Sequence, residues 1–123
     1  GRFYLPSSTD SNRLRVVWGL QGYSTAQSYM LCYAERWNAW EFRIDDTIEA
    51  SGSLDYSTIR GGWFEFEVQW GSNGTMTFTT FDGGGNQVGQ FSHTDTSYTS
   101  GGFGFHFYSH DQSNPAVDNV TID

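Results

Sequence analysis

Lysine is absent from this 123-residue chain, and all 6 of its basic residues are arginine. Against them stand 14 acidic residues, for a formal net charge of −8. That balance argues against recognition of nucleic-acid phosphates, which takes a basic patch. It argues equally against electrostatic attachment to anionic lipid. The acids are scattered singly or in pairs, as on a solvated surface. A lysine-free acidic surface is the expectation for a high-salt habitat, where repulsion is screened within roughly 3 Å at 1 M salt. An ordinary acidic secreted domain is the alternative.

Cysteine is nearly absent too. Cys32 is the single one, so no intrachain disulfide forms. It stands in the apolar run Tyr29-Met30-Leu31-Cys32-Tyr33, which predicts a small buried side chain rather than a reactive thiol. No apolar run is long enough for a membrane-spanning helix, and no signal peptide or lipidation motif is visible, as in a mature secreted domain. Two prolines and no sustained i, i+3, i+4, i+7 apolar pattern leave little room for helices.

Aromatic residues are plentiful at 18%, which excludes a disordered chain. They sit in short alternating runs between Gly, Ser, Asn and Asp, the pattern of an all-β protein. The clearest run spans Gly62 to Asp82. Phe64, Phe66, Val68 and Trp70 share one face; Trp63, Glu65, Glu67 and Gln69 share the other. Gly71-Ser72-Asn73-Gly74 then forms a hairpin turn, because Asn and Gly tolerate positive φ. A second strand follows from Thr75 to Phe81. Further strands are expected over Gly1–Leu5, Arg13–Leu20, Ser28–Glu35, Ala39–Asp45, Thr47–Leu54, Gln87–Phe91, Phe103–Tyr108 and Ala116–Ile122. On Arg13–Leu20 the inward residues are expected to be Leu14, Val16, Trp18 and Leu20. Ser28–Glu35 is apolar on both faces and reads as a central strand or one lining a cleft. Glu41 and Arg43 are neighbours on one face and expected to pair at the surface. Ser92 to Ser100 reads as a polar loop. Asn73-Gly74-Thr75 and Asn119-Val120-Thr121 are N-glycosylation triplets, weak support for an extracellular setting.

Three segments resemble the laminin-G-like/concanavalin A-like jelly-roll domains of secreted and surface proteins. They are Gly61-Gly62-Trp63-Phe64-Glu65-Phe66-Glu67-Val68-Gln69-Trp70, then Gly74-Thr75-Met76-Thr77-Phe78 leading to Asp82-Gly83, and Thr99-Ser100-Gly101-Gly102-Phe103-Gly104-Phe105 with Ala116-Val117-Asp118-Asn119-Val120. The resemblance covers the chain from about Arg13 onward, on strand ends and turns rather than on active-site residues. It implies a two-sheet antiparallel jelly-roll sandwich, one domain over residues 1–123, as a piece of a larger surface protein. It also implies a closing strand beside the first one. The usual N-terminal strand segment is missing, so the edge at Gly1 is expected to be open to a neighbouring chain, domain or second copy.

Catalytic readings are weak. Glu65 and Glu67 have Cβ atoms about 7 Å apart on one strand face, but both follow the solvent-side alternation and no third acid completes a glycosidase pattern. His93 and Asp95 lack a serine elbow. A cluster of His106, His110 and Asp111 has no spacing that fixes transition-metal geometry. Calcium is the better expectation, with Asp10, Asp111 and Asp118 as oxygen ligands; hydrogen bonding of Asp118 across the terminal strands is the plainer reading. A sugar site needs aromatic platforms beside a few polar groups. Tyr33, Arg36 and Trp37 at the end of one strand, with His106 and Tyr108 on another, are the candidate set. The expected function is therefore a non-catalytic extracellular glycan-binding or adhesion module, its partner a polysaccharide or cell-surface glycan. A structural subunit of a surface assembly and an accessory domain of a glycoside hydrolase are the alternatives.

Overall fold

The computed structural model describes residues 1–7, 12–109 and 115–122. Among the described residues ten strands run in chain order: β1 (Arg2–Leu5), β2 (Arg13–Leu20), β3 (Tyr29–Ala34), β4 (Ala39–Ile44), β5 (Thr47–Ser53), β6 (Gly62–Trp70), β7 (Thr75–Phe81), β8 (Gln87–Thr94), β9 (Gly102–Tyr108) and β10 (Ala116–Asp118). Single 3-10 turns occupy Glu35–Trp37 and Tyr56–Thr58. The strands form two antiparallel five-stranded sheets, ordered β10-β1-β6-β7-β8 and β5-β4-β3-β2-β9. The protein is thus an all-β sandwich.

Period-2 alternation puts one apolar row of each strand between the sheets. Phe3, Leu5, Phe64, Phe66, Met76 and Phe78 enter from the first sheet; Leu14, Val16, Trp18, Tyr29, Leu31, Tyr33 and Phe42 enter from the second. Phe3 ties the sheets by edge-on contacts to Tyr33, Phe105 and Phe107 at 5.8–5.9 Å. Such pairs add about 0.5–1.5 kcal/mol each beyond area burial. The expected hairpin is present: Trp70 pairs with Met76 across Gly71–Gly74, and the Gly74 amide donates to the Gly71 carbonyl at 2.9 Å. Gly74 has φ +81, and a Cβ there would meet the Asp95 carbonyl at 2.4 Å. Only glycine fits both demands. β3 is central and buried along its whole length, as its two apolar faces predict.

Several expectations change. β8 continues through Ser92, His93 and Thr94, because those residues pair with Thr77, Met76 and Thr75; the polar loop is shorter. β10 stops at Asp118, and Asn119 turns away with φ 53. Leu20 does not join the main core. The β2–β9 register shifts between Val17 and Leu20, with Gly19 at φ +62. Such a bulge re-aims the following side chain, and Leu20 packs with Val17, Met30, Cys32 and Ala34 on the opposite side of the sheet. β1 itself lies inside the first sheet. β10 pairs with it on one side and β6 on the other.

Candidate ligand-binding site

The outward row of the second sheet sets arginines over a small apolar cluster of its own. Register places Arg13 between Ala34 and Tyr108, and Arg15 between Cys32 and His106. Their floor is apolar: Val17, Met30, Cys32 and Ala34 are all buried although they point away from the main core. The arginine stems and their neighbours cover that floor while keeping their charges in water. Burial pushes the Cys32 thiol above its usual range, against an opposing pull from Arg15. Arg43 pairs with Glu41 at 2.6 Å on this face, with side chains only 20% and 14% exposed, so the pair is more sheltered than the alternation implied.

A buried carboxylate fixes the rim. Glu35 opens the turn after β3 and is 1% exposed. Its Oε2 accepts from the Asn12 backbone amide at 3.2 Å and the Asn12 side-chain amide at 2.8 Å. Its Oε1 accepts from Arg60 Nε. The Glu35 amide donates back to the Asn12 carbonyl at 3.1 Å. The turn is thereby clamped beside the first residue of β2. Asn38 closes it in the left-handed region, φ 46, which Asn tolerates well. Trp37 is consequently held out from the surface, 53% exposed, next to Arg13.

Arg13 lies between two rings. Its guanidinium carbon sits 4.8 Å from the Trp37 ring centroid and 5.8 Å from that of Tyr108. Arg36 approaches Trp37 at 5.5 Å. Tyr108 is 48% exposed. Arg15 Nη1 lies 2.9 Å from His106 Nδ1. Arginine is always the donor, so Nδ1 accepts and the ring is neutral with its proton on Nε2. Burial, and then the Arg15 charge, lower the His106 pKa from 6.5.

Charge is divided unevenly over the molecule. Arg2, Arg43 and Arg60 each hold a carboxylate. Arg13, Arg15 and Arg36 hold none among the described residues, and all three lie in this region. The outward row of β6 carries Glu65 and Glu67 instead, both exposed.

Of the residues expected to bind a ligand, Arg36, Trp37 and Tyr108 come together around Arg13, and His106 stands on the same face one alternation along β9. Tyr33 does not belong with them. It is 1% exposed, its ring packs on Phe3 and Phe64, and its hydroxyl shares a 2.8 Å hydrogen bond with Thr80. Odd–even alternation explains the split: Tyr33 points inward and Ala34 outward. Arg13 and Arg15 went unremarked in the sequence, although their alternation with Leu14 and Val16 sends them to this face. Asp118 accepts from Arg2 at 2.9 Å and ties β10 to β1, which leaves that carboxylate matched to a cation already. Asp10 and Asp111, with His110, lie outside the described residues, and among the described residues no three His, Cys, Asp or Glu side chains cluster as a metal site. Asp95, aligned with His93 in the sequence, instead accepts from the Tyr29 hydroxyl at 2.7 Å and the Ser97 amide at 2.8 Å.

Comparison with family models, with curated proteins and with solved structures finds no significant match.

Proposed function

We propose that the outward face of the second sheet binds an extracellular glycan without cleaving it. One observation carries this reading: the Arg13 guanidinium lies between exposed Trp37 and Tyr108 with no carboxylate partner among the described residues. Aromatic rings offer flat stacking platforms, and a guanidinium offers a rigid fork of donors for oxygen pairs. Arg15, Arg36 and the Nε2 proton of His106 supply further donors. Three arginines with no carboxylate partner among the described residues favour sugars bearing carboxylate or sulfate over neutral ones. The reading takes the sandwich as a jelly roll of the resembled kind, on a secreted or surface protein in a salt-rich medium.

A glycan array spanning neutral, uronate-bearing and sulfated oligosaccharides tests it. Binding by the wild type that is lost in Trp37→Ala and in Arg13→Ala supports the site. Binding that both variants retain places the ligand elsewhere.

A further inference from the structure

Arg15 repeats the outward position of Arg13 two residues along β2, about 7 Å away at the rise of an extended strand. Its Nη1 donates to His106 Nδ1 at 2.9 Å rather than to an acid. Arg15 Nε is buried with no hydrogen-bond partner among the described residues, and the Cys32 thiol beside it is a weak acceptor. His106 is exposed, and the next outward position on β9 is Gly104. A Cβ at Gly104 would meet nothing within 4 Å. The flank of the imidazole is therefore open to a ligand group.

The contact works in one protonation state only. A neutral ring accepts at Nδ1. An imidazolium carries N–H groups at both nitrogens and accepts nothing. Arg15 and a protonated His106 then face each other as two cations with two donors. An oxoanion placed between them accepts from both and cancels the repulsion. The other groups around the ring do not supply that anion. Arg13 and Arg15 face it from β2, Tyr108 stands on its own strand, and Cys32 lies beyond Arg15. Glu41, past Cys32, is held by Arg43. Asp46, in the turn before β5, favours the charged ring, but it is the weakest influence on it, after burial and Arg15.

We infer that Arg15 and His106 form a second acid-group subsite, in which a carboxylate or sulfate of the ligand and one proton on the imidazole bind together. That the ligand is a sugar rests on the glycan reading above. Arg13, between Trp37 and Tyr108, takes one acid group, and this pair takes another about 7 Å along the strand, so the preferred ligand carries two. Protonation and anion binding are reciprocal, each raising the affinity for the other. Binding therefore tightens as pH falls through the range in which His106 titrates. Neutral sugars have no such slope.

Inorganic sulfate tests the subsite apart from the sugar. The His106 ring pKa is read by NMR in sodium chloride and in sodium sulfate at equal ionic strength. Sulfate is expected to raise it by about 0.5 to 1 in the wild type, the mark of a three- to tenfold preference for the protonated ring, and to leave it nearly unmoved in Arg15→Gln. A sulfated disaccharide, whose acid stays ionised throughout, is then titrated by calorimetry at about pH 7.5 and about pH 5. Its affinity should rise about tenfold at the lower pH, with a proton taken up from the buffer, and His106→Gln should bind it equally at both. A ring pKa indifferent to sulfate overturns the inference, and so does disaccharide binding by the wild type with no pH dependence. A ring that responds to sulfate in a protein that binds no glycan keeps the oxoanion subsite and removes the glycan reading.

Discussion

Arg60 donates through Nε to Oε1 of Glu35, a carboxylate only 1% exposed. The pair joins the segment after β5 to the turn after β3, and with Asn12 it holds three separate parts of the chain at one point. Breaking a buried ion pair from one side leaves a charge without compensation. Arg60→Leu is expected to cost about 2–3 kcal/mol, since the Arg60 side chain is 27% exposed and part of its charge is screened. For a domain of this size that lowers Tm by roughly 10 °C. Thermal denaturation followed by circular dichroism checks it.

The Trp37 platform should behave differently. Trp37 is exposed and its ring contacts are with Arg13 and Arg36. Trp37→Ala is expected to leave stability within about 0.5 kcal/mol of wild type. Glycan affinity should fall about 5- to 30-fold, the scale of one stacking and cation–π platform. Denaturant melts beside binding isotherms separate the two effects; a large stability loss would mark Trp37 as structural.

His106 supplies a pH signature. Its pKa is held below 6.5 by burial and by Arg15, so the unfolded chain binds this proton more readily than the folded one. Stability is then present in full above pH 6.5 and declines as pH falls through the folded-state pKa. Asp46 pulls the other way, more weakly. His106→Asn should flatten that limb of the stability profile. A ring titration by NMR that gives a value at or above 6.5 would contradict it.

Cys32 should be inert. It is fully buried under the stems of its neighbours, and burial raises its pKa, so little thiolate is available. A thiol reagent such as DTNB is expected to label it only as fast as the protein unfolds. Rapid labelling of the folded protein would show that Arg15 and the adjoining side chains open readily.

The residues that alternate strictly were legible in the sequence. Phe64, Phe66, Met76 and Phe78 entered the core as the period-2 pattern requires, and β3 took its central place because both its faces are apolar. Leu20 was not legible, since a bulge at Gly19 inverts the alternation after Val17. Tyr33 was misplaced because an aromatic ring near a strand end suits a binding platform and a core equally; only parity decides, and it points inward. Arg13 became visible as a site residue only once pairing set β9 beside β2 and brought Tyr108 across from it. Pairing partners that lie far apart in sequence leave no local trace.

The separation of charge between the two outer faces gives the molecule a direction. Glu65 and Glu67 lie behind one sheet, while Arg13, Arg15 and Arg36 lie in front of the other. A polyanion that repels the protein as a whole will still turn it, bringing the arginine side forward before contact. In 0.15 M salt that torque reaches about 8 Å from the surface, and in 1 M salt about 3 Å. At the higher salt, orientation before contact is lost, and under the proposed function the rings of Trp37 and Tyr108 would then set how long an encounter lasts.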